Sequence, residues 1–282
     1  MYDVSFSIVT YNNEDIIENT VGSIVSHIEN KLDYIIYIID NHSSDKTVER
    51  VKKCRGNIVL IQNDKNLGFG AGHNIALQSL GSECPDAESH SESSYSGHCS
   101  GRHSEYPDSG CPSRYHIVAN PDITIVNDVI SDMVRYMDEH KDIGLLTPLI
   151  KYPDGQIQYL CKRNPTVTDL FIRLAFPNGF KKRQDYFTMK ETGYNKPFEV
   201  EYATGCFMFF RTSILKQLKG FDEHIFLYLE DADITRRVNR ISRTVFYPYN
   251  YVVHEWQRGA HKSLKLMWIN VKSAAWYFWK WR

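Results

Sequence analysis

Neither sign of charge dominates this chain of 282 residues, in which 33 lysines and arginines meet 34 aspartates and glutamates for a formal net charge of −1. Without a strong overall field, nothing recruits nucleic acid as a bulk polyanion, and an anionic ligand has to be held by a local site. No apolar run is long enough to span a bilayer. The first residues lead into the apolar stretch 6–9 without a basic segment, a longer apolar core and a small-residue cleavage site, so a cytoplasmic rather than a secreted protein is expected. Cysteine is sparse. Cys54, Cys84, Cys99, Cys111, Cys161 and Cys206 form no close-spaced framework, which suits reduced thiols in a chain large enough to fold by core burial.

Short β-branched runs alternating with helical spacing predict an α/β fold with a mainly parallel central sheet flanked by helices. Strands are expected at 5–10, 34–40, 58–62 and 115–119. Between the first two, Ile16, Ile17, Val21, Ile24, Val25 and Ile28 recur at helical spacing, and Ser44 is the expected cap of a helix over 46–53. A further helix at 128–139, a strand at 144–147 and a turn at 153–155 complete the domain, which is taken to cover 1–261. Residues 82–114 are a low-complexity insertion rich in Ser, His and Gly, too poor in aliphatic side chains to offset the entropy of ordering. Its His90, His98, Cys99, His103 and Cys111 match no familiar zinc spacing, and disorder is expected instead.

Ligands bind outside the C-terminal ends of strands in such sheets, which draws attention to four polar segments. Asp40 ends a buried strand and reads either as an acceptor for a base N–H or ribose hydroxyl, or as an Asx turn. The glycines of the 66–72 loop, NLGFGAG, follow a strand and open a helix, an arrangement that lets backbone amides approach an anion. His73 stands where a dinucleotide fingerprint needs its third glycine, which disfavours a nicotinamide oxidoreductase. Asp122 in Asn120-Pro121-Asp122 is suited to bridge a divalent ion to a diphosphate, or simply to start a turn. In FLYLEDADITRR at 226–237, helical spacing pairs Asp233 with Arg236 and Arg237, with Glu230 near the same side, and leaves Asp231 as the freest base. His254 ends a short strand and is structural unless its neighbours make it a ligand.

Together these segments resemble glycosyltransferase family 2, and within it the rhamnosyltransferase-like members that build bacterial surface polysaccharides. The shared pieces are SIVTYNN at 7–13, IIDNHSSD at 38–45, NLGFGAGHN at 66–74, VANPD at 118–122, ATGCFMFFR at 203–211, GFDEHIFLYLEDADITRR at 220–237 and VVHE at 252–255, all in family order. The resemblance implies a GT-A fold with Thr10, Asn12 and Asp40 near the nucleoside and Asn66, Gly68 and Gly70 on its sugar-phosphate side. It also implies a divalent metal, magnesium or manganese, on Asp122 and His254, with Asp231 of the Glu230-Asp231 pair as general base. Asn120 departs from the pattern, standing where the usual metal motif has its first acid.

The activity implied is transfer of a sugar from a nucleotide-sugar donor (dTDP-rhamnose, or another dTDP- or UDP-sugar) to a glycan or lipid-linked glycan acceptor, by a single displacement that inverts the anomeric carbon. Residues 163–197, interrupted by Pro165, Pro177 and Gly179, are read as an acceptor-facing lid. The alternative is a nucleotide-sugar-binding protein without catalysis. Residues 262–282 are expected to form an amphipathic helix. Its Leu264, Met267, Val271, Ala274, Ala275 and Phe278 side would pack on the domain, and its Lys265, Trp268, Ile269, Lys272 and Trp276 side would meet the cytoplasmic membrane surface.

Overall fold

A strand covered on both faces needs apolar side chains at every position, and YIIYII at the start of the second strand supplies them. In the computed structural model, which describes residues 1–82, 112–255 and 264–282, this run is β2 (Tyr34–Asp40). It lies between β1 (Tyr2–Thr10) and β3 (Ile58–Gln62), with β4 (Ser113–Ala119) on the other side of β1, all four parallel. Ile36 and Ile38 pack with Phe6 and Ile8 beneath α1 (Ile17–Ile28), while Ile35, Tyr37 and Ile39 meet Ala76 and Leu80 of α3 (Phe69–Ser82) on the opposite face.

Beyond β4 the sheet changes character. β10 (Phe207–Arg211) runs antiparallel between β4 and β6 (Ile143–Lys151), and β11 (Arg243–His254) follows parallel to β6. The two-residue strand β5 (Ile123–Thr124) closes this edge, antiparallel to β11, and β8 (Phe198–Glu199) pairs with β11 nearer its start. β7 (Cys161–Lys162) and β9 (Tyr202–Ala203) form a separate antiparallel pair. The helices are α2 (Thr47–Val51), α4 (Val129–Glu139), α5 (Val167–Ala175), α6 (Lys181–Phe187), α7 (Thr212–Gln217), α8 (Glu230–Val238) and α9 (Leu264–Lys280). The expected strands, the helix near 128–139 and the turn at 153–155 are all present. The expected acceptor lid contains two helices, α5 and α6.

Three expectations shift. Ser44 does not cap α2: its N–H goes to Asn12 Oδ1 (2.8 Å), and Asp45, whose carboxylate is the stronger acceptor, takes the Thr47 N–H (3.0 Å). The insertion is shorter at both ends than 82–114, because Ser82 closes α3 and Ser113-Arg114 open β4. His90, His98, Cys99, His103 and Cys111 lie outside the described residues.

The third shift is a partial rotation of α9. Ala274 and Phe278 pack on the domain and Trp268 and Lys272 face outward as expected, but Met267, Val271 and Ala275 also face outward, Trp276 is half-buried, and Ser273 and Tyr277 are buried. Polar anchors decide this face. Ser273 Oγ donates to the Leu227 carbonyl (2.7 Å), Trp276 Nε1 and Lys280 Nζ reach Asp222 (3.1 and 2.7 Å), and Trp281 Nε1 reaches Asp233 (2.9 Å). Unpaired, the buried carboxylate of Asp233 would cost more than exposing Met267, Val271 and Ala275. Among the described residues no helix is long and apolar enough to cross a membrane.

His73 has a structural task. Its Nδ1 meets Ser7 Oγ (2.7 Å), which meets His116 Nε2 (3.0 Å), whose Nδ1 meets Ser5 Oγ (2.8 Å), tying α3 to two strands. Burial keeps both rings neutral, His73 well below the ordinary range and His116 down to about 3.

Candidate active site

At the C-terminal ends of β1 and β2 the predicted nucleoside residues hold one another. Thr10 Oγ1 donates to Asp40 Oδ1 (3.0 Å), and Asp40 Oδ2 accepts the Ser43 N–H (2.9 Å), so the buried carboxylate is held locally, three residues on rather than the two of an Asx turn. Asn12, left-handed at φ 58°, receives Ser44 N–H and gives its own N–H to Ser43 Oγ (2.9 Å). Asn66 Oδ1 accepts the Gly68 N–H (2.9 Å), and the Gly68 carbonyl accepts from Asn41 Nδ2 (2.9 Å).

The glycines of this loop permit a close approach, but to the chain itself. A Cβ at Gly68, where φ is +90°, would stand 2.3 Å from the Phe226 carbonyl oxygen, and one at Gly70 would stand 2.8 Å from Phe221 Cβ. Phe69 N–H donates to the same Phe226 carbonyl (3.0 Å). The loop is thereby fixed to the segment that leads into the acidic helix α8.

Pairing of β5 with β11 sets Ile123 opposite His254, and Glu255 N–H donates to the Asp122 carbonyl (3.1 Å). Asp122 Oδ1 and His254 Nε2 then stand 3.3 Å apart, and both are buried atoms without a hydrogen-bond partner. The tautomer follows from Gln158. Its Nε2 donates to the His254 carbonyl (2.7 Å), which turns Oε1 toward His254 Nδ1 (2.9 Å), so Nδ1 carries a proton and Nε2 is the ring nitrogen turned to Asp122. In the neutral ring Nε2 is an acceptor facing a carboxylate oxygen, and a cation between them would satisfy both. Adjacent ligands of an octahedral divalent ion lie about 3 Å apart when its bonds are about 2.1 Å, so the pair fits such an ion. No third His, Cys, Asp or Glu among the described residues joins them, which leaves further positions for substrate oxygens and water.

The acidic helix follows two consecutive left-handed residues, Tyr228 (φ 71°) and Leu229 (φ 69°), and strained backbone of this kind clusters at functional sites. Asp233 pairs with Arg237 (2.8 Å) as its spacing predicts. Asp231, expected to be the freest of the three, is buried and held: Oδ2 accepts the Gly205 N–H (3.0 Å) and Oδ1 the Ala232 N–H (2.9 Å). The unpartnered oxygen is Glu230 Oε2. Burial, reinforced by the neighbouring Asp231 charge, pushes Glu230 well above the usual carboxylate range. The site therefore sets an acid whose neutral form burial favours beside a carboxyl group oriented by two backbone amides.

These parts are stitched together by backbone. Asn120 N–H donates to the Cys206 carbonyl (2.9 Å), next to the Gly205 that grips Asp231. A Cβ at Gly205 would sit 3.2–3.3 Å from the Phe69 ring and Asp231 Cβ. Sequence reasoning did not single out Gly205, Gln158 or Lys162. Gly205 lay within a quoted motif, and Gln158 carried no local signal. Lys162 is buried with its ammonium 4.4 Å from the Tyr202 ring centroid. Desolvation and the nearby Arg173 lower it to about 8, against the pull of Asp231 and Cys206. A cavity of about 450 Å³ borders Gln158, lined also by Tyr152, Tyr159, Gln184, Thr188 and Lys190.

Residues 5–84 match the family model described as Glycosyl transferase family 2. The chain is 26% identical over 224 residues to an N-acetylglucosaminyl-diphospho-decaprenol L-rhamnosyltransferase of Mycobacterium tuberculosis, covering 78% of this chain and 66% of that one. Among solved structures it is similar to S. aureus TarS 1-349 in complex with UDP-GlcNAc, with a TM-score of 0.58, 19% identity, and 95% and 66% of the two chains covered. It is also similar to the mannosyltransferase PcManGT from Pyrobaculum calidifontis in complex with GDP-Man and Mn2+, with a TM-score of 0.56, 13% identity, and 97% and 73% covered. At these identities the solved structures speak to the fold. The resemblance read from the motifs is thereby borne out: this is a GT-A domain that carries the family 2 glycosyltransferase match and is similar to rhamnosyltransferases.

Proposed function

We propose that the chain moves a sugar from a nucleoside diphosphate to an acceptor hydroxyl with inversion of the anomeric carbon. The donor in this reading is dTDP-rhamnose, and the acceptor is a lipid-linked glycan precursor of a cell-surface polysaccharide. The name of the mycobacterial relative supports both choices. The observation that carries the chemistry is the unpartnered buried pair, Asp122 Oδ1 facing His254 Nε2.

Asp231, oriented by Gly205, takes the proton of the acceptor hydroxyl as its oxygen attacks the anomeric carbon. Glu230, whose protonated form burial favours, can offer a hydrogen-bond donor beside it. Asp122 and His254 would hold a divalent ion, whose chemistry when bound is to stabilise the negative charge of the departing diphosphate. Lys162 adds positive charge near the Asp231 carboxylate. The cavity beside Gln158 is the proposed acceptor entrance.

The test is nucleotide diphosphate release across a panel of dTDP- and UDP-sugars, with manganese or magnesium and with chelator. Release is expected to require metal and to disappear in Asp122→Ala and His254→Ala. Release untouched by chelator and by both substitutions would overturn the assignment. Donor binding without release for any acceptor would instead mark a non-catalytic nucleotide-sugar-binding protein.

A further inference from the structure

Helix α5 buries Ile172 and packs Leu170 on the domain, yet a second apolar side is left exposed. Its inner side carries a polar clasp: buried Asp169 accepts from the Thr166 N–H (3.1 Å) and from Arg183 Nε (2.8 Å). Its outer side carries Val167, Phe171 and Leu174, continued by Phe176 and Phe180 on the following loop and by Tyr186 on α6, all between 47 and 66% exposed. The rings touch in series, with centroids 6.1 Å apart for Phe171–Phe176 and 5.7 Å for Phe176–Phe180. The loop is held in this pose. Gln184 Nε2 donates to the carbonyls of Phe176, Pro177 and Gly179 (3.1, 3.2 and 2.6 Å), and Phe180 sits at a left-handed φ of 51°.

Charge accompanies the apolar surface. Residues 166–186 contain four basic side chains against two acidic ones in a chain that is slightly negative overall. Arg183 is engaged with Asp169, whereas Lys181 and Lys182 are exposed and form no ion pair among the described residues.

We propose that α5, the 176–180 loop and the start of α6 dock this protein onto the surface of an anionic lipid bilayer. The apolar side chains enter the boundary between headgroups and acyl chains, and Lys181 and Lys182 meet lipid phosphates. A second copy is the poorer occupant, because a two-fold contact sets the same patch against itself and brings four lysines together. An acidic lipid surface satisfies both halves of the patch at once. The inference does not depend on the donor or the metal, yet it bears on the acceptor: Pro177 and Lys181, at the edge of the patch, also line the cavity that Gln158 borders.

The experiment is co-sedimentation of the full chain with phosphatidylcholine–phosphatidylglycerol vesicles and with pure phosphatidylcholine vesicles. Binding is expected to the first and to be much weaker for the second. Lys181→Glu with Lys182→Glu should lower partitioning by at least about 25-fold, since each basic side chain near such a surface is worth about fivefold. Phe171→Ser with Phe176→Ser should lower it by about tenfold or more at unchanged melting temperature, because both rings are already exposed. Trp268→Ser on α9 should leave it within about twofold. Equal binding to both vesicle types would overturn the proposal, as would loss of binding in Trp268→Ser with retention in the phenylalanine variant. A lipid-free dimer that the phenylalanine variant dissolves, with no vesicle binding, would overturn it in favour of self-association.

Discussion

The two halves of the site are built on opposite terms. Around β1 and β2 every predicted polar group is answered from within: Thr10 by Asp40, Asp40 by Ser43, Asn12 by Ser44, Asn66 by Gly68. Where β5, the start of α8 and the end of β11 meet the site, Asp122 Oδ1, His254 Nε2 and Glu230 Oε2 are buried without a hydrogen-bond partner. A native fold seldom tolerates such orphans unless something else completes them. The difference separates a region that holds its own polar groups from a region where buried acceptors are left without a hydrogen bond.

If that division is right, damage should differ in kind between the halves. The largest effect is expected for Asp231→Asn, which removes a positioned base and should slow turnover by about 10² to 10⁴, with donor binding retained in calorimetry. Next comes Asp40→Ala in the self-contained half. It strands Thr10 and Ser43 and should lower stability by about 1.5–3 kcal/mol in urea unfolding, while leaving metal affinity unchanged. Gln158→Leu should do the reverse. It releases the His254 tautomer and should weaken manganese binding by about 10- to 100-fold.

The smallest effect belongs to Glu230→Gln. A carboxyl whose value is raised on folding favours the native state below its ordinary value of 4.5 and loses that contribution as pH rises through the raised one. The glutamine variant should therefore lose less stability than the parent as pH rises above 4.5, read as melting temperature. An identical pH slope in both proteins would place the titration elsewhere.

What the sequence made legible follows the range of the forces involved. The βαβ half declared itself because strand alternation and helical spacing are local, and the family motifs named Asp122, Asp231 and His254 before their neighbours were known. That Asp122 and His254 would face one another depends on a strand of two residues pairing across 130 positions, which no window of sequence carries. Gln158 is legible only once that pairing exists. An apolar wheel alone does not set the rotation of α9, because its hydrogen-bonding side chains Ser273, Trp276 and Lys280 decide which side faces in. Side-chain spacing leaves Asp231 free because the groups that hold it, the Gly205 and Ala232 N–H, are backbone.

The carboxylate of Asp233 is fully buried and is held by Arg237 on its own helix and by Lys280 and Trp281 from a segment 48 residues further on. During synthesis the acidic helix therefore emerges with a charge it cannot yet bury, and its final form waits for the tryptophan-rich segment to arrive. A protein shortened before residue 264 would forfeit two of those three donors at a cost of about 3–5 kcal/mol. Maturation of the acidic helix is thus tied to the completion of a distant part of the chain, so shortened products are expected to lose the setting of Glu230 and Asp231 before they are visibly unfolded.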